Sequence, residues 1–282
     1  MDTKTLYINS ISGSFAAVNA SIVGLPFDTI KTRLQASEKG KFKGPVDCFK
    51  KTFINEGFRG LFRGFIPIVL TCGPTYGLYY VINQYSLNFL TPNKLEINNL
   101  PIWKEVTCGG IAGAAICGIL TPGERIKCYI QVKTKKISVI KAIKDIISTD
   151  GIHSLYRGFG ATLIREIPMG AAYFSSYNII RNNITQPNEN LPLWKILVVG
   201  SIAGICGWTA ALPGDVVKTK IQSSIGSNRK IKIFEVAKEL FKTKGIKGFF
   251  IGYVPIVLRS IPVNAVYFAS CESMKSLMVD RS

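Results

Sequence analysis

Three times along the chain, an acid and a base stand three residues apart behind a proline. They are Asp28 and Lys31 in PFDTIKTRLQ (26–35), Glu124 and Lys127 in PGERIKCYIQ (122–131), and Asp215 and Lys218 in PGDVVKTKIQ (213–222). Residues i and i+3 are neighbours on one helix face. If three such helices surround a common axis, each acid can meet the base of the next helix. A closed ring follows: Asp28 to Lys127, Glu124 to Lys218, and Asp215 to Lys31. Gln35, Gln131 and Gln222 come one turn after each base and can brace that ring with hydrogen bonds. Three unrelated surface pairs, each contributing tenths of a kcal/mol, would explain neither the threefold recurrence nor the prolines.

A second set of residues follows three glycines, Gly64, Gly158 and Gly252. Seven and eight positions after them come Thr71 and Cys72, Arg165 and Glu166, and Arg259 and Ser260. Ionisable side chains inside an apolar helix mark a substrate or ion path. Arg259 offers a fixed donor fork that suits a carboxylate. Glu166 can face an ammonium group, and Arg165 can pair with Glu166 until substrate arrives. Tyr76, Tyr79 and Tyr173 offer aromatic faces to a quaternary ammonium. Catalytic chemistry finds no support. The single histidine, His153, falls in a loop, Cys128 has no histidine partner nearby, and no Walker or Rossmann glycine pattern follows a strand. The seven cysteines are scattered singly and form no metal or disulfide pattern, so no cofactor and no metal is expected.

Long apolar helices must position these groups. Among 282 residues, 47% are hydrophobic and only 18% charged, and mean hydropathy is +0.24. Residues 5–27, 64–93, 106–123, 167–180 and 196–214 carry no charge at all. They are rich in Gly, Ala, Ser, Tyr and Asn, which suits helices packed around a polar interior. The 35 basic and 17 acidic side chains leave a formal charge of +18. The charge-free helices oppose nucleic acid as its partner, and an anionic membrane surface suits it better. The prolines Pro26, Pro122 and Pro213 are 96 and 91 residues apart, so the chain is a threefold internal duplication. It reads as one transport domain, 1–282, made of repeats 1–96, 97–188 and 189–282. Each repeat predicts a long helix through the proline motif, a short amphipathic helix (46–55, 138–148, 232–243), and a second long helix (about 65–89, 159–183, 253–278). The expected fold is an all-α membrane protein. Its six transmembrane helices have pseudo-threefold symmetry, with both termini on one side and the basic loops, Lys41, Lys43, Lys50 and Lys51 among them, on the other. The start of the chain shows no secretory signal or Arg-rich transit peptide.

The threefold signature, Pro-x-acid-x-x-base followed by acid-Gly and aromatic-base-Gly (EGFRGLFRG at 56–64, DGIHSLYRG at 150–158), resembles the mitochondrial carrier family over essentially the whole chain. The resemblance implies a carrier of the mitochondrial inner membrane that works by alternating access, with termini in the intermembrane space. The ion-pair ring is then its matrix gate, and cardiolipin is held near Gly64, Gly158 and Gly252. A monomer is expected. A second, cytoplasmic gate falls on Asn83-Gln84 with Leu87, Tyr177-Asn178 with Arg181, and Cys271-Glu272 with Lys275. Only Glu272 is acidic and only Arg181 and Lys275 are basic, so at most one or two links can form among Asn178, Arg181, Glu272 and Lys275, and this gate is expected to be weak. In the third repeat Lys244 stands where an acid is expected and Ile251 where a base is expected, which predicts looser bracing there.

Within the family, TPGERIKCYIQ (121–131), Gly118 before it, and VDCFKKTFINEGFRGLFRG (46–64) are most similar to the carriers of carnitine and acylcarnitines. That likeness implies Arg165, Glu166 and Arg259 as binding residues. Arg259 would sit on the carboxylate and Glu166 near the trimethylammonium, while Gly118, Ile119, Leu120 and Met169 would form an apolar recess. Two departures stand out: Leu25 replaces the histidine those carriers place before the first proline, and Glu166 replaces an aspartate. Arg-Glu-Ile-Pro (165–168) also resembles carriers of ornithine and of S-adenosylmethionine, which form the alternative.

Overall fold

Charge-free runs of small and apolar residues become long helices, and the glycines and prolines between them become turns. The computed structural model describes residues 3–38, 40–91, 102–134, 136–184, 193–224, 226 and 232–279. The repeat boundaries at 96/97 and 188/189 fall outside these. Every described element is helical. The first repeat contains α1 (Thr3–Ala36), α2 (Pro45–Leu61) and α3 (Phe65–Leu90). The second contains α4 (Ile102–Val132), α5 (Val139–Asp150) and α6 (Phe159–Ile184), with a 3-10 turn at Ile152–Tyr156. The third contains α7 (Leu193–Ser223), α8 (Ile233–Lys244) and α9 (Tyr253–Val279), with a 3-10 turn at Ile246–Phe250. The motif prolines lie inside continuous helices. The short helix of the first repeat runs past the expected Asn55 to Leu61, and is interrupted at Gly57, where φ is 67°.

The six long helices close into a ring in the order α1, α3, α4, α6, α7, α9, and α1, α4 and α7 also touch one another inside it. Small residues permit the close contacts. A side chain at Gly200 would stand 3.2 Å from Phe268, and one at Gly204 would stand 3.5 Å from Asn264, both on α9. Each short helix tucks its apolar face under the long helix of its own repeat. Cys48 meets Ile30 and Leu34, Ala142 and Ile146 meet Tyr129 and Ile130, and Leu240 meets Val217 and Ile221. Burial pushes the Cys48 thiol up to about 11, so this cysteine acts as core.

Among the described residues, four stretches are long and apolar enough to cross a membrane: Tyr7–Ala36, Phe65–Leu90, Trp194–Ser223 and Ile246–Met278. Six were expected. Of the other two long helices, α6 breaks its apolar run with Arg165 and Glu166, whereas α4 contains the charge-free run 106–123. Tyr7, Trp103 and Trp194 each stand nineteen residues before a motif proline. All three point outward, 64%, 61% and 62% exposed.

Candidate functional site

The three motif helices bring their acids and bases together at one end of the ring. Lys127 Nζ lies 2.7 Å from Asp28 Oδ2, Lys31 Nζ lies 2.8 Å from Asp215 Oδ2, and Lys218 is paired with Glu124. The glutamines divide their roles. Gln35 Nε2 donates to Asp215 Oδ2 (3.0 Å) and to the Ile251 carbonyl (3.1 Å). Gln131 instead donates to the Thr29 hydroxyl and the Arg63 carbonyl, and Gln222 accepts from the Cys128 thiol. Only Gln35 therefore hydrogen-bonds an acid of the ring. Gln131 reaches α1 and the turn before α3, and Gln222 meets α4.

Gly64, Gly158 and Gly252 precede α3, α6 and α9 with φ of 81°, 89° and 92°, a left-handed turn that disfavours any side chain. They also sit against the ring helices. A side chain there would press on Lys127 and Gln131, on Gln222, or on Lys31 and Gln35 respectively.

Above the ring lies a cavity of about 480 Å³ bounded by all six long helices. Arg165, Glu166, Arg259 and Tyr76 line it, as do Cys72 and Ser260. Arg165 Nη1 lies 3.1 Å from Glu124 Oε1 and 3.6 Å from Asp215 Oδ1, and Arg165 is also paired with Glu166. Arg259 Nε lies 3.2 Å from Asp28 Oδ1. It rests against Gly24 of α1, where an added Cβ would stand 2.6 Å from Nε, so glycine leaves the room the guanidinium occupies. The arginines of the cavity thus share carboxylates with the ring below, a link that spacing along single helices does not reveal.

Three expected residues sit elsewhere. Gly118 and Ile119 are outside the cavity lining, whereas Ile116, Leu120 and Met169 belong to it. Thr71 turns its hydroxyl back to the Pro67 carbonyl (2.7 Å) and also lies outside the lining. Leu25 is wholly buried and does not reach the cavity. At the opposite end, Arg181 and Glu272 are exposed and Lys275 is half-buried. These three form no ion pair among the described residues, and the Asn178 side chain lies outside what is described. One residue that sequence reasoning missed is Trp208. Its ring lies 4.1 Å from Lys31 Nζ, 5.6 Å from the Arg259 guanidinium and 5.9 Å from that of Arg165. The signal was there: Trp208 stands seven residues, two turns, before Asp215 on the same face of α7.

A six-helix ring with a charged floor and a central cavity suits a solute carrier. The chain belongs to the mitochondrial carrier family: residues 2–94, 98–188 and 189–282 each match the family model described as mitochondrial carrier protein. It is 33% identical to mitochondrial substrate carrier family protein S of Dictyostelium discoideum, over 99% of this chain and 100% of the relative. It is 31% identical to the mitochondrial carnitine/acylcarnitine carrier protein of Macaca fascicularis (95% and 94%). It is 32% identical to mitochondrial ornithine transporter 1 of Saccharomyces cerevisiae (96% and 95%). Family and apolar helices together make it a multi-pass protein of the mitochondrial inner membrane, in a family of transporters.

Proposed function

We propose that the chain exchanges acylcarnitine for carnitine by alternating access. The observation that carries this reading is Arg259, whose guanidinium lines the cavity together with Glu166 and the apolar Ile116, Leu120 and Met169. Carnitine brings a carboxylate to the arginine fork and a trimethylammonium toward Glu166, with Tyr76 and Trp208 as aromatic neighbours. Each methylene of an acyl chain buried on the apolar wall adds at most about 0.8 kcal/mol. On this reading all six long helices span the membrane around a pseudo-threefold axis, and the termini lie in the intermembrane space. The ring of Asp28, Lys31, Glu124, Lys127, Asp215 and Lys218, braced by Gln35, closes the matrix side. Asn178, Arg181, Glu272 and Lys275 form a weak cytoplasmic gate. Helix N-termini at Gly64, Gly158 and Gly252 offer amides to cardiolipin phosphates, and the carrier works as a monomer without a cofactor.

The test is uptake of labelled carnitine, and in parallel of labelled ornithine, into liposomes carrying the purified protein and preloaded in turn with carnitine, ornithine, lysine or S-adenosylmethionine. Carnitine-dependent exchange, tighter with medium or long acyl chains than with acetyl, is expected. Robust ornithine exchange without carnitine exchange overturns the choice in favour of an amino-acid carrier, to whose yeast example the chain is as similar. For the ring, Glu124→Gln is expected to lose most of the exchange rate. Swapping the charges of Glu124 and Lys218 recovers little, because the lysine placed at 124 faces Arg165.

A further inference from the structure

Hydroxyl groups inside the long helices mostly turn back to their own backbone. Thr71, Thr91, Thr209 and Ser260 each donate to the carbonyl four residues earlier. Thr75 does not. It lines the cavity, is only 3% exposed, and its hydroxyl has no hydrogen-bond partner among the described residues. It is the one uncharged side chain of the lining in that state among the described residues. A buried hydroxyl left unpaired is costly, and an occupant of the cavity can supply its partner. Cys72 stands one turn earlier on the same face of α3. Its sulfur lies 3.3 Å from the hydroxyl of Ser21 on α1, and both residues line the cavity. That hydroxyl retains capacity for a second hydrogen bond. The other repeats differ at the matching places. Eleven residues after its glycine, the first repeat has Thr75 where the others have Met169 and Val263. Five residues before its proline it has Ser21 where α7 has Trp208. All five line the cavity, which at these places is small and polar on the first-repeat side and bulky elsewhere. Arg259 rests against Gly24, and Ser21 is one turn further along α1, about 4.5 Å farther from the ring.

We infer that Ser21 and Thr75, with Cys72 between them, form an uncharged hydrogen-bonding subsite for an oxygen that the substrate carries close to its carboxylate. The inference rests on the carnitine reading. With the carboxylate on Arg259 and the trimethylammonium toward Glu166, carnitine has one polar atom left, the oxygen two carbons from its carboxyl carbon. In carnitine it belongs to a hydroxyl, and in acylcarnitine to an ester. Hydroxyl side chains serve both, since they accept from the first and donate to the second. A substrate with hydrogen in that place leaves Thr75 unpaired. A site built to hydrogen-bond a substrate hydroxyl discriminates strongly against the analogue that lacks it. The two charges of the substrate are thus held by α6 and α9, and its neutral oxygen by α1 and α3.

The experiment is competition for uptake of labelled carnitine into liposomes carrying the purified protein and preloaded with carnitine. The competitors are unlabelled carnitine and γ-butyrobetaine, which differs from it only in lacking that hydroxyl. Half-inhibition by γ-butyrobetaine is expected to need a concentration higher by about tenfold or more. Thr75→Val, which keeps the shape and removes the hydroxyl, and Ser21→Ala should each bring the ratio of the two concentrations toward one. Thr75→Ser should keep most of it. The ratio compares two ligands in one protein, so a general loss of stability or of rate does not move it. Equal competition in the native protein, or a native ratio that survives both Thr75→Val and Ser21→Ala, overturns the inference and leaves the carnitine reading standing. No carnitine uptake at all sinks that reading and this inference with it.

Discussion

The repeats join one another at three seams, and the seam between the third and first repeats is built differently from the other two. Where the first repeat meets the second, Glu56 clamps two arginines. Its Oε1 lies 2.7 Å from Arg33 Nη1, and its Oε2 lies 2.6 Å from Arg63 Nε. Those arginines donate onward to carbonyls at the end of α4, Arg33 to Gln131 (2.9 Å) and Arg63 to Lys133 (2.6 Å). Where the second repeat meets the third, Asp150 holds Arg125 and Arg157, each at 3.1 Å. Arg125 donates to the Gln222 carbonyl (2.9 Å), and the Gly226 amide donates back to Asp150 (3.2 Å). The third repeat has Lys244 and Ile251 at the matching places, so it lacks both the acid and the base of such a clasp. Its bracing lies inside instead. The Lys31 and Asp215 pair that crosses this seam is the one backed by Gln35 and by the face of Trp208. Two seams are held at the rim and the third at the axis, so the same job is done by different chemistry at different depth.

The strongest way to break this contrast is Asp150→Ala. Arg125 is wholly buried and would lose its only carboxylate among the described residues, a loss of roughly 3–5 kcal/mol for a buried pair. A large drop in the unfolding temperature of the solubilised protein is expected. Glu56→Gln should cost less, about 1–3 kcal/mol, because the amide oxygen can still accept from Arg33 or Arg63. Equal losses in the two variants would mean that burial at Asp150 does not set the difference. Trp208→Leu tests the inner bracing. Removing the ring beneath Lys31 should cost about 0.5–2 kcal/mol, seen as a smaller drop in unfolding temperature together with weaker substrate binding. The smallest effect is constructive. Lys244→Glu with Ile251→Arg supplies the missing clasp and is expected to add up to about 1 kcal/mol. If the third seam is where the bundle parts, this double variant also slows exchange, and an unchanged rate in a stabilised variant would show that parting happens elsewhere.

The sequence made the long helices legible because their signals are local. Charge-free runs gave their bodies, and the motif blocks through which they run close at Gln35, Gln131 and Gln222, one residue short of the observed ends Ala36, Val132 and Ser223. The same spacing named the partners of the ion-pair ring, since one acid and one base per helix leave few arrangements. What depended on long side chains crossing between helices was not legible. Arg125 stands four residues earlier in its motif than Arg33 does, where the first repeat has Thr29 and the second has Tyr129 in place of Arg33. Yet both arginines reach the acid of their own acid-Gly pair. No motif alignment pairs them; only their reach does. Arg165 and Arg259 likewise meet ring acids on other helices, so these two cavity residues also tie into the floor. The recess expected at Gly118 and Ile119 failed for a related reason, because the helix turns those positions away from the cavity that Ile116 and Leu120 face.

The outward aromatics Tyr7, Trp103 and Trp194 bear on how the carrier sits in a bilayer. Tyrosine and tryptophan favour the headgroup layer, and three of them at one height hold the molecule upright rather than tilted. Nineteen helical residues separate each from its motif proline, about 28 Å at 1.5 Å per residue. The hydrocarbon layer is about 30 Å thick. With the aromatics anchored at one face, the prolines and the acids two residues beyond them arrive at the other face, where lipid tails give way to headgroups and water. If the ring works as the proposed gate, parting its three ion pairs there hands their charges to hydrating solvent instead of to oil, so the lock opens at a depth where an opened lock is cheap to leave ajar.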